Sequence, residues 1–252
     1  MPQSLLPSAL VTGGAVRIGR TLVSALAGLD FAVAIHCRRS VAAGEALARE
    51  VRERGGRAAV VAADLAEPVE VSGLIAAAAL ALEAPIGVLV NSAASFDRDQ
   101  LATLEPARLR RQLAVNLEAP LLLAQAYVAA LPPDRPGLIV NIGDQRVANP
   151  TASYLGYSVS KAGLDMATRV LARELAPRIR VVTLALGQAL RAPGMSEARH
   201  RRLVAATPLQ RVTGQDEIER ALELIVQSPS MTGSTLTLDS GMAMGWAFPG
   251  KD

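Results

Sequence analysis

The stretch covering residues 138–161 constrains the fold most strongly, because a mostly apolar run there leads through a polar loop into a helical pattern. Residues 138–142 are rich in β-branched side chains, which is typical of a buried strand in a parallel sheet. In the helix that follows, Tyr157 and Lys161 are four residues apart, so their side chains share one face.

The Tyr157–Lys161 pair places an ammonium group beside a phenol. A tyrosine with its ordinary pKa of about 10 is a poor proton donor or acceptor at neutral pH, but a nearby positive charge favours its ionised form. The pair therefore indicates a general acid or base, although the same spacing is often only a solvated pair on a surface helix. Asp144 favours the catalytic interpretation, since it lies 13 positions before Tyr157 at a strand end, where open α/β sheets place their ligands.

Short apolar runs and helical patterns alternate along the whole chain. They predict an α/β fold of the Rossmann type, with a doubly wound, seven-stranded parallel sheet and helices on both faces. The predicted strands cover residues 9–12, 31–36, 58–62, 88–91, 138–142, 181–186 and 235–238. No linker rich in Pro, Gly or Ser divides the chain, which favours a single domain over residues 1–252. Because only 3% of the residues are aromatic, Ala, Val and Leu must fill the core.

The composition narrows the range of partners. The net charge is +3 and the arginines are scattered, so nothing indicates nucleic-acid binding. Cys37 is the single cysteine and there are two histidines, so neither an internal disulfide nor a metal-ligand cluster is indicated. No charged n-region precedes an apolar core, and no uncharged stretch reaches the roughly 18 residues of a membrane span. We therefore expect a cytoplasmic protein that acts on a small molecule, without a membrane partner.

Gly13, Gly14 and Gly19 bracket the turn between the first predicted strand and a helix that runs to about residue 29. Glycines at such a turn let the backbone approach a pyrophosphate, whose charge the helix N-terminus favours. A plain βα turn is the alternative. The strand at residues 31–36 makes the dinucleotide-binding interpretation the better one.

The end of the second predicted strand indicates which dinucleotide is bound. NAD sites usually place an acidic residue there to hold the ribose 2′-hydroxyl, whereas a 2′-phosphate calls for arginine. This chain has no carboxylate there, and it offers His36, Arg38, Arg39 and Ser40. Guanidinium groups bind phosphate bidentately, so the pattern predicts NADPH. The alternative is that these arginines are solvated residues at the start of the next helix.

Three motifs together resemble the short-chain dehydrogenase/reductase family over nearly the whole chain: YSVSK at 157–161, NIGD at 141–144 and TGGAVRIG at 12–19. The resemblance implies that Tyr157 supplies a proton, and that Lys161 lowers the pKa of the tyrosine and holds a ribose hydroxyl. It also implies that Asn116 orders a water chain behind the lysine. A satisfied buried polar residue is the alternative for Asn116.

Two departures from the common family pattern are similar to its pteridine reductase branch. Most members have a serine at the position of Asp144, and a glycine is more common at the position of Arg17. The TGxxxRIG variant implies that Arg17 lies over the cofactor and faces the substrate, with Gly13, Ile18 and Gly19 forming the cofactor turn.

The resemblance implies further cofactor contacts at the strand ends. Asp64 would take the adenine amino group and Leu65 a backbone contact, although Asp64 could instead cap the helix that begins at Pro68. The run NSAASF at 91–96 is similar to the Asn-Asn-Ala-Gly motif that lines the cofactor, which implies contacts from Asn91 and Ala93.

Three more expectations follow from the same resemblance. Phe96 matches a phenylalanine that stacks on the pterin in pteridine reductases, with simple loop packing as the alternative. Gly187 is expected to touch the nicotinamide amide through its backbone, although Leu186 replaces the usual proline. A substrate lid is expected at about residues 188–206, and the apolar tail at 241–252 suggests burial in a homotetramer.

These observations predict an NADPH-dependent reductase that transfers a hydride to a pterin, dihydropterin or dihydrofolate ring, similar to bacterial dihydromonapterin reductases. An ionised aspartate only accepts hydrogen bonds, so Asp144 suits a ring rich in N–H donors better than a ketone. One alternative is an NADPH-dependent carbonyl reductase. A second is a catalytically weak protein that binds NADPH as a sensor or scaffold.

Overall fold

The computed structural model describes residues 5–191 and 194–245. Seven parallel strands form one sheet in the order β3-β2-β1-β4-β5-β6-β7. They are β1 (Ser8–Thr12), β2 (Ala32–Cys37), β3 (Ala58–Ala62), β4 (Val88–Asn91), β5 (Gly137–Asp144), β6 (Ile179–Leu186) and β7 (Thr235–Leu238). The predicted Rossmann-type sheet and all seven predicted strands are therefore confirmed.

Eight α-helices lie in the described part of the chain: α1 (Arg17–Gly28), α2 (Val41–Glu53), α3 (Pro68–Leu82), α4 (Pro106–Leu113), α5 (Ala119–Ala130), α6 (Leu155–Leu175), α7 (Glu197–Ala205) and α8 (Gln215–Gln227). A π-helical turn, Ala114–Glu118, joins α4 to α5. Both α3 and α4 begin at a proline, because the first helical position needs no backbone N–H donor.

Helices cover both faces of the sheet and bury its central strands completely. Every residue of β1, β2 and β4 is buried. On one face α1, α2 and α8 pack through residues such as Leu22, Leu47 and Leu222. On the other face α3 and α5 pack through Leu74 and Leu123. Aliphatic side chains therefore fill the core on both faces of the sheet, as the low aromatic content predicts.

The strand order reverses between β1 and β4. The chain adds β2 and β3 on one side of β1, and then returns to place β4 on its other side. Thr12 at the end of β1 pairs with Asn91 at the end of β4, and Asp144 at the end of β5 pairs with Leu186. Ligands of open α/β sheets bind in the crevice outside such carboxyl ends, so the fold brings these strand ends to one site.

Within residues 5–191 and 194–245, one helical stretch, Pro106–Ala130, is long and apolar enough by composition to cross a membrane. In the fold, α5 packs against α3 and β4. Leu123, Ala124 and Tyr127 of α5 are buried in the core. The core helix of a layered α/β fold has the same length and composition, so the fold accounts for this stretch.

The predicted lid contains α7, and the connection before it contributes Gln188, Leu190 and Met195 to the wall of a cavity. In the tail, Met242 is buried and Met244 is exposed. The two aromatic residues of the tail, Trp246 and Phe248, lie outside the described residues.

Candidate active site

A cavity of about 750 Å³ lies outside the carboxyl ends of the strands, at the reversal of strand order. Most of the predicted site residues line it: Gly13, Arg17, Ile18, Gly19, His36, Arg38, Asp64, Leu65, Ala93, Phe96, Asp144, Tyr157, Lys161 and Gly187. Four do not: Arg39, Ser40, Asn91 and Asn116. The fold therefore gathers residues from the whole chain around one space.

Asp144 and Tyr157 meet inside this cavity. The Tyr157 hydroxyl donates to Asp144 Oδ2 at 2.9 Å. Arg146 holds the same carboxylate from the other side, because its backbone N–H donates to Oδ1 at 2.8 Å and its Nη1 lies 3.2 Å from Oδ1. The side chain of Asp144 is only 12% exposed, so these charge-assisted bonds are largely shielded from water.

The electrostatics of Tyr157 differ from the expected lowering of its pKa by Lys161. Burial raises the pKa of Tyr157 well above its ordinary value, and the charge and hydrogen bond of Asp144 raise it further, while Arg146 lowers it. The Lys161 ammonium lies 5.8 Å from the centre of the tyrosine ring and donates to the Ile142 carbonyl at 2.7 Å. The expected direction is therefore wrong for this structure, where Tyr157 is a protonated donor.

Lys161 itself is almost completely buried. Burial lowers its pKa to about 8, and the charge of Asp144 opposes that change. The ammonium is consequently charged at neutral pH, and its charge is lost in mildly alkaline solution.

An aromatic cluster forms one wall next to Tyr157. The Phe96 ring stacks on Tyr154 with a centroid distance of 4.6 Å and an angle of 12°. It meets Tyr157 edge to face, also at 4.6 Å. The guanidinium of Arg146 lies 5.5 Å from the Phe96 centroid and 5.0 Å from that of Tyr154. Phe96 is 42% exposed and lines the cavity, so it offers a flat apolar surface to a ligand.

Asn116 lies in the π-helical turn and is buried. Its Oδ1 accepts from the backbone N–H of Ser95 at 2.7 Å, and its Nδ2 donates to the Ser95 carbonyl and to Ser160 Oγ. These bonds match the alternative of a satisfied buried polar residue, and they tie the loop before Phe96 to α6. The ordering of a water chain by Asn116 stays a prediction.

The N-terminus of α6 is fixed by a residue that the sequence did not reveal. Asp99 is 2% exposed, and its carboxylate accepts from the Gly156 backbone N–H at 3.2 Å and from Gln112 Nε2 at 3.1 Å. The Asp99 carbonyl also accepts from the backbone of Tyr154, whose φ is +67°. Asp99 thereby satisfies the first turn of the helix that carries Tyr157.

The glycine turn has the shape of a phosphate cradle. Gly13 has a φ of +63°, and a Cβ there would lie 2.9 Å from Ala93 Cα. A Cβ on Gly19 would collide with the Gly13 carbonyl. No side chain caps α1 and no acidic residue lies in its first turn, so its N-terminal N–H groups face the cavity without a competing carboxylate among the described residues. The residues present fit a pyrophosphate.

His36 supports this turn and is saturated with hydrogen bonds. Its Nδ1 accepts from the Gly13 backbone N–H at 3.1 Å, and its Nε2 lies 3.1 Å from the Ala63 carbonyl. Burial lowers the pKa of His36, so the ring is neutral with its proton on Nε2. Both ring nitrogens are therefore used inside the protein, which leaves the predicted phosphate contact without a free donor.

Arg38 lines the cavity at the end of β2, whereas its exposed neighbour Arg39 does not. Arg38 Nη1 lies 3.4 Å from Asp64 Oδ2, and Arg111 Nη2 lies 3.0 Å from Asp64 Oδ1. Asp64 does not cap α3, because the N-cap residue of that helix is Glu67. Capping by Asp64 is therefore wrong, and the adenine contact stays a prediction.

Of the remaining predicted contact residues, Ala93 and Gly187 line the cavity and Asn91 does not. The Asn91 amide donates to Asn141 Oδ1 at 2.8 Å within the sheet, so its side chain does not reach the cavity. Ala93 lines the cavity, and its backbone N–H donates to Thr12 Oγ1 at 3.1 Å. Gly187 also lines it, and a Cβ there would lie 2.7 Å from Asp239 Cα. Gly187 therefore packs closely against Asp239, and its contact with the nicotinamide amide stays a prediction.

The described residues hold no group of three or more His, Cys, Asp or Glu side chains that could bind a metal ion. A doubly wound sheet with a phosphate cradle and a buried tyrosine and lysine beside it defines a class of α/β oxidoreductase. The family model of short chain dehydrogenases matches residues 7–202. The chain therefore belongs to the short-chain dehydrogenase family.

Known relatives resemble the chain over nearly its whole length. A crystal structure of FolM alternative dihydrofolate reductase 1 from Brucella canis, complexed with NADP, is 41% identical, has a TM-score of 0.92 and matches over 97% of each chain. A 3-oxoacyl-[acyl-carrier-protein] reductase from Synechocystis is 29% identical, over 94% of this chain and 96% of the relative. An uncharacterized oxidoreductase from Mycobacterium tuberculosis is 30% identical, over 97% of this chain and 93% of the relative.

Proposed function

We propose that the protein reduces a C=N bond in a pterin or dihydropterin ring, including the ring of dihydrofolate, with NADPH as the reductant. The observation that carries this proposal is the carboxylate of Asp144, which lies in the cavity and accepts from the Tyr157 hydroxyl. The similarity to a dihydrofolate reductase complexed with NADP supports both the substrate class and the cofactor.

The nucleotide end of the cavity supplies the groups that NADPH needs. The turn at Gly13 and the N-terminus of α1 would hold the pyrophosphate, and Arg38 would hold the 2′-phosphate. Lys161 would bind a ribose hydroxyl, and the backbone at Gly187 would contact the nicotinamide amide. When bound, NADPH supplies the hydride, while the protein supplies position and electrostatics.

The Asp144–Tyr157 contact suits a substrate that offers both a donor and an acceptor. An N–H of a pterin ring can donate to Asp144, while a neighbouring ring nitrogen accepts the Tyr157 proton. These two hydrogen bonds to the substrate replace the single hydrogen bond that joins Tyr157 to Asp144 in the structure. Arg146 favours the negative charge left on the tyrosine oxygen after proton transfer, and this attraction partly offsets the repulsion from Asp144.

The similarity to a 3-oxoacyl reductase favours carbonyl reduction as a second candidate function. A ketone oxygen accepts a proton but offers no N–H donor to Asp144. The carboxylate would then repel the negative charge that develops on the oxygen. The carbonyl substrate consequently fits this cavity less well than a pterin.

We expect the protein to oxidise NADPH with dihydrobiopterin and dihydrofolate at rates at least ten times those with a panel of ketones, because only the ring substrates satisfy Asp144. Absorbance of NADPH measures each rate. Oxidation with ketones alone would overturn the pterin proposal, and tight binding of NADPH without turnover of any substrate would favour a sensor or scaffold.

The position of Arg38 gives a separate prediction about the cofactor. Arg38→Ala should raise the Kd for NADPH about tenfold or more relative to the Kd for NADH, because a hydrogen bond to a charged group contributes roughly 1.5–3 kcal/mol. Arg39→Ala should have a smaller effect, since Arg39 does not line the cavity. Quenching of tryptophan or cofactor fluorescence would measure both constants. Equal losses for NADPH and NADH would exclude Arg38 as the phosphate ligand.

We also infer that the protein is a cytoplasmic homotetramer. The exposed side chains Val159, Met166 and Val170 form an apolar stripe along α6, and each is more than half exposed. A second copy that covers this stripe would bury surface that otherwise faces water.

A further inference from the structure

The cavity wall carries a large excess of positive charge. Six arginines line it, whereas Asp64 and Asp144 are the only acidic residues among its described lining. The arginines are Arg17, Arg38, Arg98, Arg111, Arg146 and Arg199.

These arginines fall into two groups. Arg38 and Arg111 both pair with Asp64, and Arg146 pairs with Asp144. The other three, Arg17, Arg98 and Arg199, have no carboxylate within ion-pair distance among residues 5–191 and 194–245. The paired arginines already have a role, either with a carboxylate of the protein or with the cofactor phosphate, whereas the second group has neither.

The members of the second group come from three separate parts of the chain. Arg17 is the first residue of α1, and its Nη1 already donates to the Arg191 carbonyl at 3.2 Å, so the protein partly engages this guanidinium. Arg98 lies two residues after Phe96 of the aromatic cluster and directly before Asp99, whose carboxylate accepts from the first turn of α6. Arg199 lies on the lid helix α7, four residues before Leu203, which also lines the cavity. Arg98 and Arg199 therefore belong to the substrate end.

The lid helix does not neutralise Arg199 itself. Glu197 is the acidic residue in its first turn, and it pairs with Arg191 at 3.7 Å and with Arg201 at 3.9 Å. Arg199 instead lines the cavity. A planar guanidinium matches the geometry of carboxylates and phosphates, and like charges around an open cleft attract an anion.

We propose that Arg98 and Arg199 form a subsite for an anionic group on the tail of the substrate, beyond the ring that is reduced. The group is a carboxylate or a phosphate ester, and the proposal rests on the proposed function. A ring with a neutral tail would satisfy Asp144 and Tyr157 but would leave both arginines unused. The substrate class is accordingly a reduced pterin with an acidic substituent, as in a glutamate-bearing folate.

Three substrates with the same ring type test this subsite: dihydrofolate with carboxylates, dihydroneopterin monophosphate with a phosphate, and dihydrobiopterin with a neutral tail. In the wild type at low ionic strength, at least one anionic substrate should have a KM about tenfold below that of dihydrobiopterin. The double variant Arg98→Gln/Arg199→Gln should raise the KM for that substrate at least tenfold more than the KM for dihydrobiopterin. Loss of each exposed arginine is expected to contribute about fivefold to this change in KM. Which anion is favoured distinguishes a carboxylate from a phosphate.

The matched control is Arg108→Gln/Arg201→Gln, which removes an equal number of arginine charges from α4 and α7, outside the cavity wall. It should leave the KM ratio as in the wild type. Salt gives a measurement that needs no variant, since screening should raise the KM of the anionic substrate selectively. An unchanged ratio in the double variant, or a salt response equal for all substrates, would refute the subsite. If none of the three substrates is reduced, the proposed function fails instead.

Discussion

Replacing Asp144 with serine should lower kcat/KM for dihydrobiopterin about tenfold to a hundredfold, and it should raise ketone reduction. The substitution removes the charged acceptor for the ring N–H, and hydrogen bonds to charged groups contribute roughly 1.5–3 kcal/mol. It also removes the charge and the hydrogen bond by which Asp144 raises the pKa of Tyr157. The tyrosine pKa should therefore fall, which makes its hydroxyl a better proton donor to a ketone oxygen.

Steady-state kinetics with both substrate types measure the change in specificity, and Asp144→Asn is the matched control. Asparagine keeps the shape of the side chain but removes its charge, so pterin activity should fall while the contact with Tyr157 can persist. The chain has three tyrosines, which makes a spectroscopic titration of the tyrosine pKa practicable. Unchanged turnover of dihydrobiopterin by the serine variant would show that Asp144 does not contact the substrate.

The fold and the centre of the site could be predicted from the sequence because their signals are local. Short apolar runs and helical periodicity indicate every strand of the sheet. Tyr157 and Lys161 share one helix face, and Asp144 ends a strand, so their convergence follows from the topology. The glycine at position 13 itself indicates a turn, because the positive φ that the backbone adopts there favours glycine.

The rest depends on tertiary contacts that no local pattern shows. Arg146 lies in a polar loop two residues after Asp144, where charged side chains are usually solvated. Arg111 meets Asp64 across 47 positions of the chain, and Asp99 caps a helix that begins far along the sequence. Arg38 and Arg39 are neighbours of the same residue type, and only the fold determines that Arg38 lines the cavity and Arg39 does not.

The pKa of Tyr157 is the clearest example of this limit. The spacing to Lys161 predicts a lowered pKa, because one positive charge four residues away favours the phenolate. In the fold, burial and the hydrogen bond to Asp144 act in the opposite direction and prevail. Before substrate binds, the hydroxyl is therefore protonated but is a weaker acid than that of an ordinary tyrosine.

Tyr157→Phe should accordingly lower kcat for dihydrobiopterin about a thousandfold, since a positioned general acid contributes roughly 10²–10⁴ in rate. Phenylalanine keeps the ring and its edge-to-face contact with Phe96, so the aromatic wall should persist. Only the hydroxyl that donates to Asp144 is lost. Stopped-flow measurement of NADPH oxidation at saturating substrate isolates this step from product release.

Tyr154→Phe is the matched control, because it removes one hydroxyl from the same aromatic cluster while the stacking on Phe96 is kept. We expect it to retain at least a third of the wild-type rate. Circular dichroism of both variants would check that their folds agree. Equal losses in the two variants, or more than a tenth of the activity left in Tyr157→Phe, would mean that the substrate receives its proton from another donor. In that case the contact between Tyr157 and Asp144 would serve only to hold the carboxylate.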